Sequence, residues 1–138
     1  MPNMYMNNMG MYPISYNNMP MGEGYPVNGH YMHENLVNTI QECEATCEHM
    51  TTHLKKLQDV QMRTKQLVLL RDCADICGLT AKYVARGSMF SKQTAVLCAC
   101  ICEACAQECM RFQDAMSQNC AQICLHCARE CINFAREI

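Results

Sequence analysis

The sequence predicts an all-α protein: an antiparallel up-down-up-down four-helix bundle with a cysteine-lined core and a disordered N-terminal tail. Three observations predict it. All four prolines and four of the six glycines of this 138-residue chain lie in its first 32 residues, so the remainder carries almost nothing that breaks a helix. That remainder resolves into four apolar stripes with residues spaced alternately three and four apart, which places each stripe on one face of a helix. The connections between stripes are short, which makes neighbouring helices antiparallel.

The tail, residues 1–32, holds five of the six tyrosines and eight of the thirteen methionines, with Glu23 as its one charge. Pro, Gly and Asn recur through it and no apolar period survives, the mark of a flexible low-complexity arm. It lacks the basic start and unbroken apolar run of a secretory signal.

Residues 33–138 form the bundle. In the first helix Leu36, Ile40, Cys43, Cys47, Met50, Leu54 and Leu57 share a face. Carried further, that register reaches Gln61, Thr64, Val68 and Arg71, and the apolar face is lost. A second register, Leu70, Cys73, Cys77, Thr80 and Val84, takes over, widened by Met62, Leu69, Ile76 and Tyr83. The phase jump places a turn near 58–61, with Asp59 as a cap. Gly87 ends the second helix and Ser88 or Ser91 caps the third. The third stripe is Ala95, Cys98, Cys102, Cys105, Cys109, Phe112 and Met116. The fourth is Ser117, Cys120, Cys124, Cys127, Cys131, Phe134 and Ile138, with a turn near 113–117 between them. Leu36, Ile40, Val84, Ala95, Phe134 and Ile138 would then close one end of the bundle, and Met50, Leu54, Leu57, Phe112 and Met116 lie toward the other.

Composition excludes several classes. The bundle holds all 11 basic residues and, with Glu23 in the tail, all but one of the 13 acidic ones. That balance gives no electrostatic reason to expect nucleic acid or an anionic membrane surface as partner. No stretch is apolar for long enough to span a membrane. There is no Gly-rich phosphate loop. No Glu is followed three positions later by His, so the di-iron carboxylate pattern of some bundles is missing, and His33-Glu34 lacks the second His of a zinc-protease helix. Nothing points to an enzyme.

Thirteen cysteines remain to be explained. In a secreted chain such a density suggests a disulfide framework; without a signal, a reducing, cytoplasmic location and metal binding are expected. All but Cys100 fall on the four stripes, so the thiols line the bundle axis. Cysteine does pack as a small hydrophobe, but Leu or Ile would fill core positions better. Intrahelical i,i+4 pairs have Cβ atoms about 5–6 Å apart, too far for a disulfide, which wants about 3.5–4.5 Å. A metal bridge fits better: two metal–thiolate bonds of about 2.3 Å in line hold their sulfurs roughly 4–5 Å apart. Cys43–Cys47, Cys73–Cys77, Cys98–Cys102, Cys105–Cys109, Cys120–Cys124 and Cys127–Cys131 each offer such a bridge. Cu(I) is the soft ion that accepts it. Zinc prefers closed tetrahedral sites, yet Cys102–Cys105 and Cys124–Cys127 also read as CxxC and keep zinc open. An iron–sulfur cluster needs thiolates wrapped around it, which consecutive cysteines of one helix cannot supply.

At RDCADIC (71–77), LCACICEACAQEC (97–109) and CAQICLHCAREC (120–131) the chain resembles the bacterial copper storage proteins, over about residues 34–138. The resemblance implies storage of many cuprous ions inside a four-helix bundle, in a cytosolic form and as a homo-oligomer, often a tetramer. It also implies that the twelve stripe cysteines are the ligands, with copper donor and acceptor proteins as partners. Members usually carry a denser cysteine row on the first helix; here Met50 and Leu54 follow Cys43 and Cys47, which implies a smaller store.

Weaker signals accompany these. Met4-x-Met6, Met9-x-Met11 and Met19-x-Met21 could collect Cu(I), with His30, Met32 and His33 as a relay; a plain low-complexity arm is the simpler reading. His49, Met50, His53 and Met116 are candidates for the mouth of the bundle, although His49 and His53 also suit a solvated flank. Tails of this composition also resemble those of spore coat proteins, so the alternative is a spore-associated structural protein cross-linked through Cys and Tyr.

Overall fold

The computed structural model describes residues 32–138, and the predicted tail signals up to Tyr31 lie outside them. Four helices build the described part: α1 (Glu34–Leu54), α2 (Thr64–Ala85), α3 (Ser91–Cys109) and α4 (Ala115–Ala135), with a 3-10 turn at Val60–Arg63 before α2. No strand occurs among the described residues. Each helix packs on its sequence neighbours and α1 closes the square against α4, the least packed of the four seams.

The stripes predicted from spacing are the buried faces. Leu36, Ile40, Cys43, Cys47, Met50 and Leu54 of α1 are buried, as are Leu70, Cys73, Cys77, Thr80 and Val84 of α2. On α3 and α4 the cysteines are flanked by buried alanines one heptad apart, Ala99 and Ala106 on one, Ala121, Ala128 and Ala135 on the other. Small side chains at that period let two helices approach closely. At Gly78 of α2 the Glu44 carboxylate of α1 lies over the backbone, 2.5 Å from where a Cβ would stand.

The helix ends follow local chemistry. After α2, Gly87 takes φ 65°, and Ser88 N and Gly87 N donate to the carbonyls of Tyr83 and Val84, the paired bonds of a left-handed glycine stop. At the start of α4 the Asp114 side chain accepts from Ser117 N at 3.0 Å. At the start of α1, His33 holds φ 61° and sets its ring edge-on to Phe134, centroids 4.8 Å apart, which ties the first helix to the end of the last.

Several expectations are corrected. Asp59 does not cap a helix through its side chain; its carboxylate is taken by the Nε of Arg63 at 3.1 Å. Met62 does not widen the α2 stripe, being 79% exposed, because the 3-10 turn rotates it off the helical register. Phe90, not Ser88 or Ser91, occupies the α3 cap position, while Ser88 Oγ accepts from Phe90 N one step earlier. The break between the last two helices falls at 110–114, so Phe112 lies in the connection and Met116 in the first turn of α4. Ile138 lies past the helix and is fully exposed, so Phe134 and Ala135 close that end instead.

Burial tends to raise the Asp114 carboxyl, but hydrogen bonds from the Ser117 side chain and backbone, then Arg63, outweigh it and hold the group below its ordinary 3.8. A lowered native pKa contributes stability that is full above the unfolded value and is lost as pH falls through the native one. Asp114→Ala should therefore cost about 1 kcal/mol in urea unfolding at neutral pH, and the gap to the parent should narrow below pH 3.8. A gap that does not change with pH would refute the assignment.

Candidate metal centre

The i,i+4 cysteines of each helix point along the bundle axis because both positions lie on its buried face. All twelve stripe cysteines are fully buried and belong to one core cluster; Cys100 is also buried but outside that cluster. Sulfurs of different helices meet there. Cys73 Sγ lies 3.5 Å from Cys102, Cys47 3.7 Å from Cys124, Cys43 3.8 Å from Cys124, and Cys77 3.7 Å from both Cys98 and Cys102. Three quartets have all their sulfurs within 4.8 Å of one another: Cys43, Cys73, Cys77 and Cys102; Cys43, Cys47, Cys73 and Cys124; Cys77, Cys98, Cys102 and Cys127. The quartets share members, so they form one continuous column.

The protons of this column are unevenly held. Hydrogen bonding with Cys102 and then Cys124 holds the Cys43 thiol far below its ordinary value. Cys102, most strongly, lowers Cys73 and Cys98 too, and Cys109 does so for Cys105 and Cys120. Their partners move the other way. Cys124 is raised by its bonds to Cys105 and Cys120, Cys102 by those to Cys127 and Cys43, and Cys131 by those to Cys127 and Cys98. The intrahelical contacts Cys73–Cys77 (4.0 Å) and Cys98–Cys102 (3.9 Å) each join a thiol held below its ordinary value to one pushed above it, and either sulfur can hold the hydrogen between them. A thiophilic cation can replace such a shared proton. Three sulfurs at about 2.3 Å around one ion lie about 4 Å apart, which is the spacing found.

The two ends of the column differ. Apolar Ile40, Val84, Ala95 and Phe134 close one. At the other, Gln66 Nε2 donates to Cys109 Sγ at 3.5 Å and to Ser117 Oγ at 2.9 Å, and Arg63 lies just outside them. Of the predicted mouth residues, His49, Met50 and Met116 do come together, lining an open cleft of about 530 Å³ between α1 and α4 with Ala45, Thr46, Ala115 and Asn119. His53 does not line it. Reasoning from sequence passed over Arg63 and Gln66. The signal was present: the α2 register run backward from Leu70 reaches both.

A dry column of clustered thiols inside a four-helix bundle defines a soft-metal-binding protein. The family model described as copper storage protein matches residues 30–136, and the chain belongs to that family. A curated relative from Bacillus subtilis strain 168, the uncharacterized cysteine-rich protein YhjQ, is 38% identical over 77 residues, 55% of this chain and 70% of that one. Among solved structures, the Cu(I)-bound copper storage protein BsCsp3 superposes with TM-score 0.71 at 34% identity, covering 74% of this chain and 96% of that one. The apo form of copper storage protein 3 from Bacillus subtilis gives 0.70 at 35%, covering 74% and 97%. The copper storage protein Ccsp from Streptomyces lividans, loaded with 10 copper equivalents, shares the fold, with TM-score 0.73 at 21% identity over 97% of this chain and 99% of that one.

Limited oxidation of the metal-free protein should first join Cys73 to Cys102, the closest of the sulfur contacts described here, before any i,i+4 pair, whose Cβ separation of about 5–6 Å opposes a disulfide. Peptide mapping after brief exposure to oxidant would read this; a first bridge within one helix would contradict it.

Proposed function

We propose that the chain stores and buffers several Cu(I) ions on the thiolates of its core column, with the twelve stripe cysteines as ligands. Charge carries the choice of metal. No Lys or Arg lines the column along its length among the described residues, Arg63 standing at its end. A zinc ion on four thiolates would leave two uncompensated negative charges in a dry interior, at high cost. One Cu(I) per thiolate leaves none. The shared quartets suit a cluster of bridged ions and cannot all be filled as separate closed sites. Ligation displaces the protons still held by Cys47, Cys77, Cys102 and Cys124, so affinity falls as pH falls.

Ions reach the column through the cleft between α1 and α4. Met50 and Met116 offer thioethers there and His49 an imidazole, soft and intermediate ligands that hold Cu(I) more loosely than thiolates and so pass it inward. His53, one turn beyond His49, stands outside the cleft and assists at most as an outer collector. The methionine pairs of residues 1–32 serve as a further collector. The cytoplasm is the fitting compartment, since the column needs reduced thiols, and no described helix is long and apolar enough to cross a membrane. A homo-oligomer, a tetramer by family resemblance, that exchanges copper with donor and acceptor proteins completes this reading, and no catalysis is part of it.

Anaerobic titration with Cu(I) should load several ions per chain and raise the melting temperature; a single site at a hundredfold excess over its Kd already contributes about 2.7 kcal/mol. Cys102→Ser, which touches two quartets, should lower the capacity, and Cys100→Ser should leave it unchanged. A protein that loads only zinc, or that melts at the same temperature with and without Cu(I), overturns the proposal. Replacing both His49 and Met116 by Ala should slow loading several-fold at unchanged final capacity in stopped-flow uptake; equal rates would dismiss the cleft as the route.

A further inference from the structure

At the end of the column where α2 begins and α3 ends, a charged side chain is buried. Arg63 is 6% exposed, and Gln66 and Ser117 beside it are fully enclosed. A guanidinium withdrawn from water needs partners for its donors, and Nε and Nη1 find them here. Nε binds both oxygens of Asp59 at 3.1 Å. Nη1 donates to Gln66 Oε1 at 3.2 Å and Ser117 Oγ at 3.3 Å, and pairs with Asp114 Oδ1 at 3.0 Å. The guanidinium also lies over the Phe112 ring, 4.3 Å from its centre. The cluster thus ties together the α1–α2 connection, the start of α2, the α3–α4 connection and the start of α4.

Its polarity has a direction. Toward the thiols it presents donors, the Gln66 amide on Cys109 Sγ at 3.5 Å with the guanidinium behind. The two carboxylates lie on the solvent side, Asp59 44% and Asp114 30% exposed. The acceptors of the inner layer are engaged within the cluster: Gln66 Oε1 accepts from Arg63, and Ser117 Oγ from both Gln66 and Arg63. A cation moving out along the axis therefore meets N–H groups and a positive charge; the one buried oxygen without a hydrogen bond among the described residues, Asp114 Oδ1, is ion-paired to Arg63 Nη1 at 3.0 Å.

We infer that Arg63, Gln66 and Ser117 form an axial plug that seals this end of the thiol column, holds the Cys109 sulfur in place, and confines ion exchange to the side of the bundle. Gln66 and Arg63 act as positioning residues for the terminal thiol. The retention role rests on the Cu(I) storage reading; the sealing role does not.

The test separates the two. The folded metal-free chain is treated with N-ethylmaleimide at fixed pH, and alkylation of each cysteine is followed by peptide mass spectrometry. In the parent, Cys109 should react as slowly as Cys131 at the opposite, apolar end. Arg63→Ala should accelerate Cys109 about tenfold, the factor that 1.4 kcal/mol of lost closure gives, with Cys98 and Cys131 unchanged. Arg63→Lys should fall between, since it keeps the charge but loses the fork. Gln66→Ala provides the same comparison if Arg63→Ala does not fold. A parent Cys109 that reacts at the rate of an unfolded control, no acceleration in the variants, or equal acceleration at every cysteine overturns the plug. With Cu(I) loaded, transfer to a hydrophilic Cu(I) chelator should speed up in the same variants at unchanged capacity. Slow Cys109 alkylation in a chain that binds no Cu(I) would overturn storage and leave the plug standing; Cu(I) loading with a freely reactive Cys109 would do the reverse.

Discussion

Everything in the bundle depends on one constraint: sulfur atoms crowded to contact in a space without water. A thiol there can be satisfied by another thiol, but the column cannot ionise throughout, because each added thiolate is unsolvated and repelled by the last. The metal-free protein answers by sharing protons. Cys43 donates to Cys124 and Cys73 to Cys102, and in the other sulfur contacts either partner can hold the hydrogen. The same crowding that penalises ionisation makes the column receptive to a soft monovalent cation, which cancels one charge per sulfur and needs no more space than the thiols already leave.

The scaffold is shaped by that core. Cysteine is smaller than leucine, so a bundle with cysteine at its core positions closes only if the helices approach more tightly than usual. The alanines one heptad apart on α3 and α4 meet that need. The α1–α4 seam is treated differently. It carries Met50 and Met116, larger and more flexible side chains, and the cleft lies there. The bundle thus has a tight half and a looser one, with the candidate ion route on the looser side.

Much of this was legible in the sequence, because a three- and four-residue spacing has one structural meaning when Pro and Gly are absent. The helix count, the inward stripes and the place of Cys100 off the thiol column follow from spacing alone, although Cys100 is itself buried. The connections were harder. A 3-10 turn changes the angle per residue, so extrapolating the helical register put Met62 inward, and the helix break at 110–114 put Met116 on the wrong helix. The cleft was half legible, since His49, Met50 and Met116 were grouped correctly but His53, one turn farther, was not excluded. Arg63 and Gln66 were missed for a physical reason: a polar residue on an apolar stripe reads as the end of the stripe unless its partners are known, and Asp59, Asp114 and Ser117 come from distant parts of the chain.

The overlap of the sulfur quartets has a consequence for traffic. Cys43, Cys73, Cys77 and Cys102 each belong to two of the three, so a guest leaving one quartet need release only part of its coordination before the next has hold of it. Passage becomes a hand-over-hand walk, with no bare ion at any stage. With both axial ends stoppered, a route through the α1–α4 cleft would make the deepest lodger the last to depart.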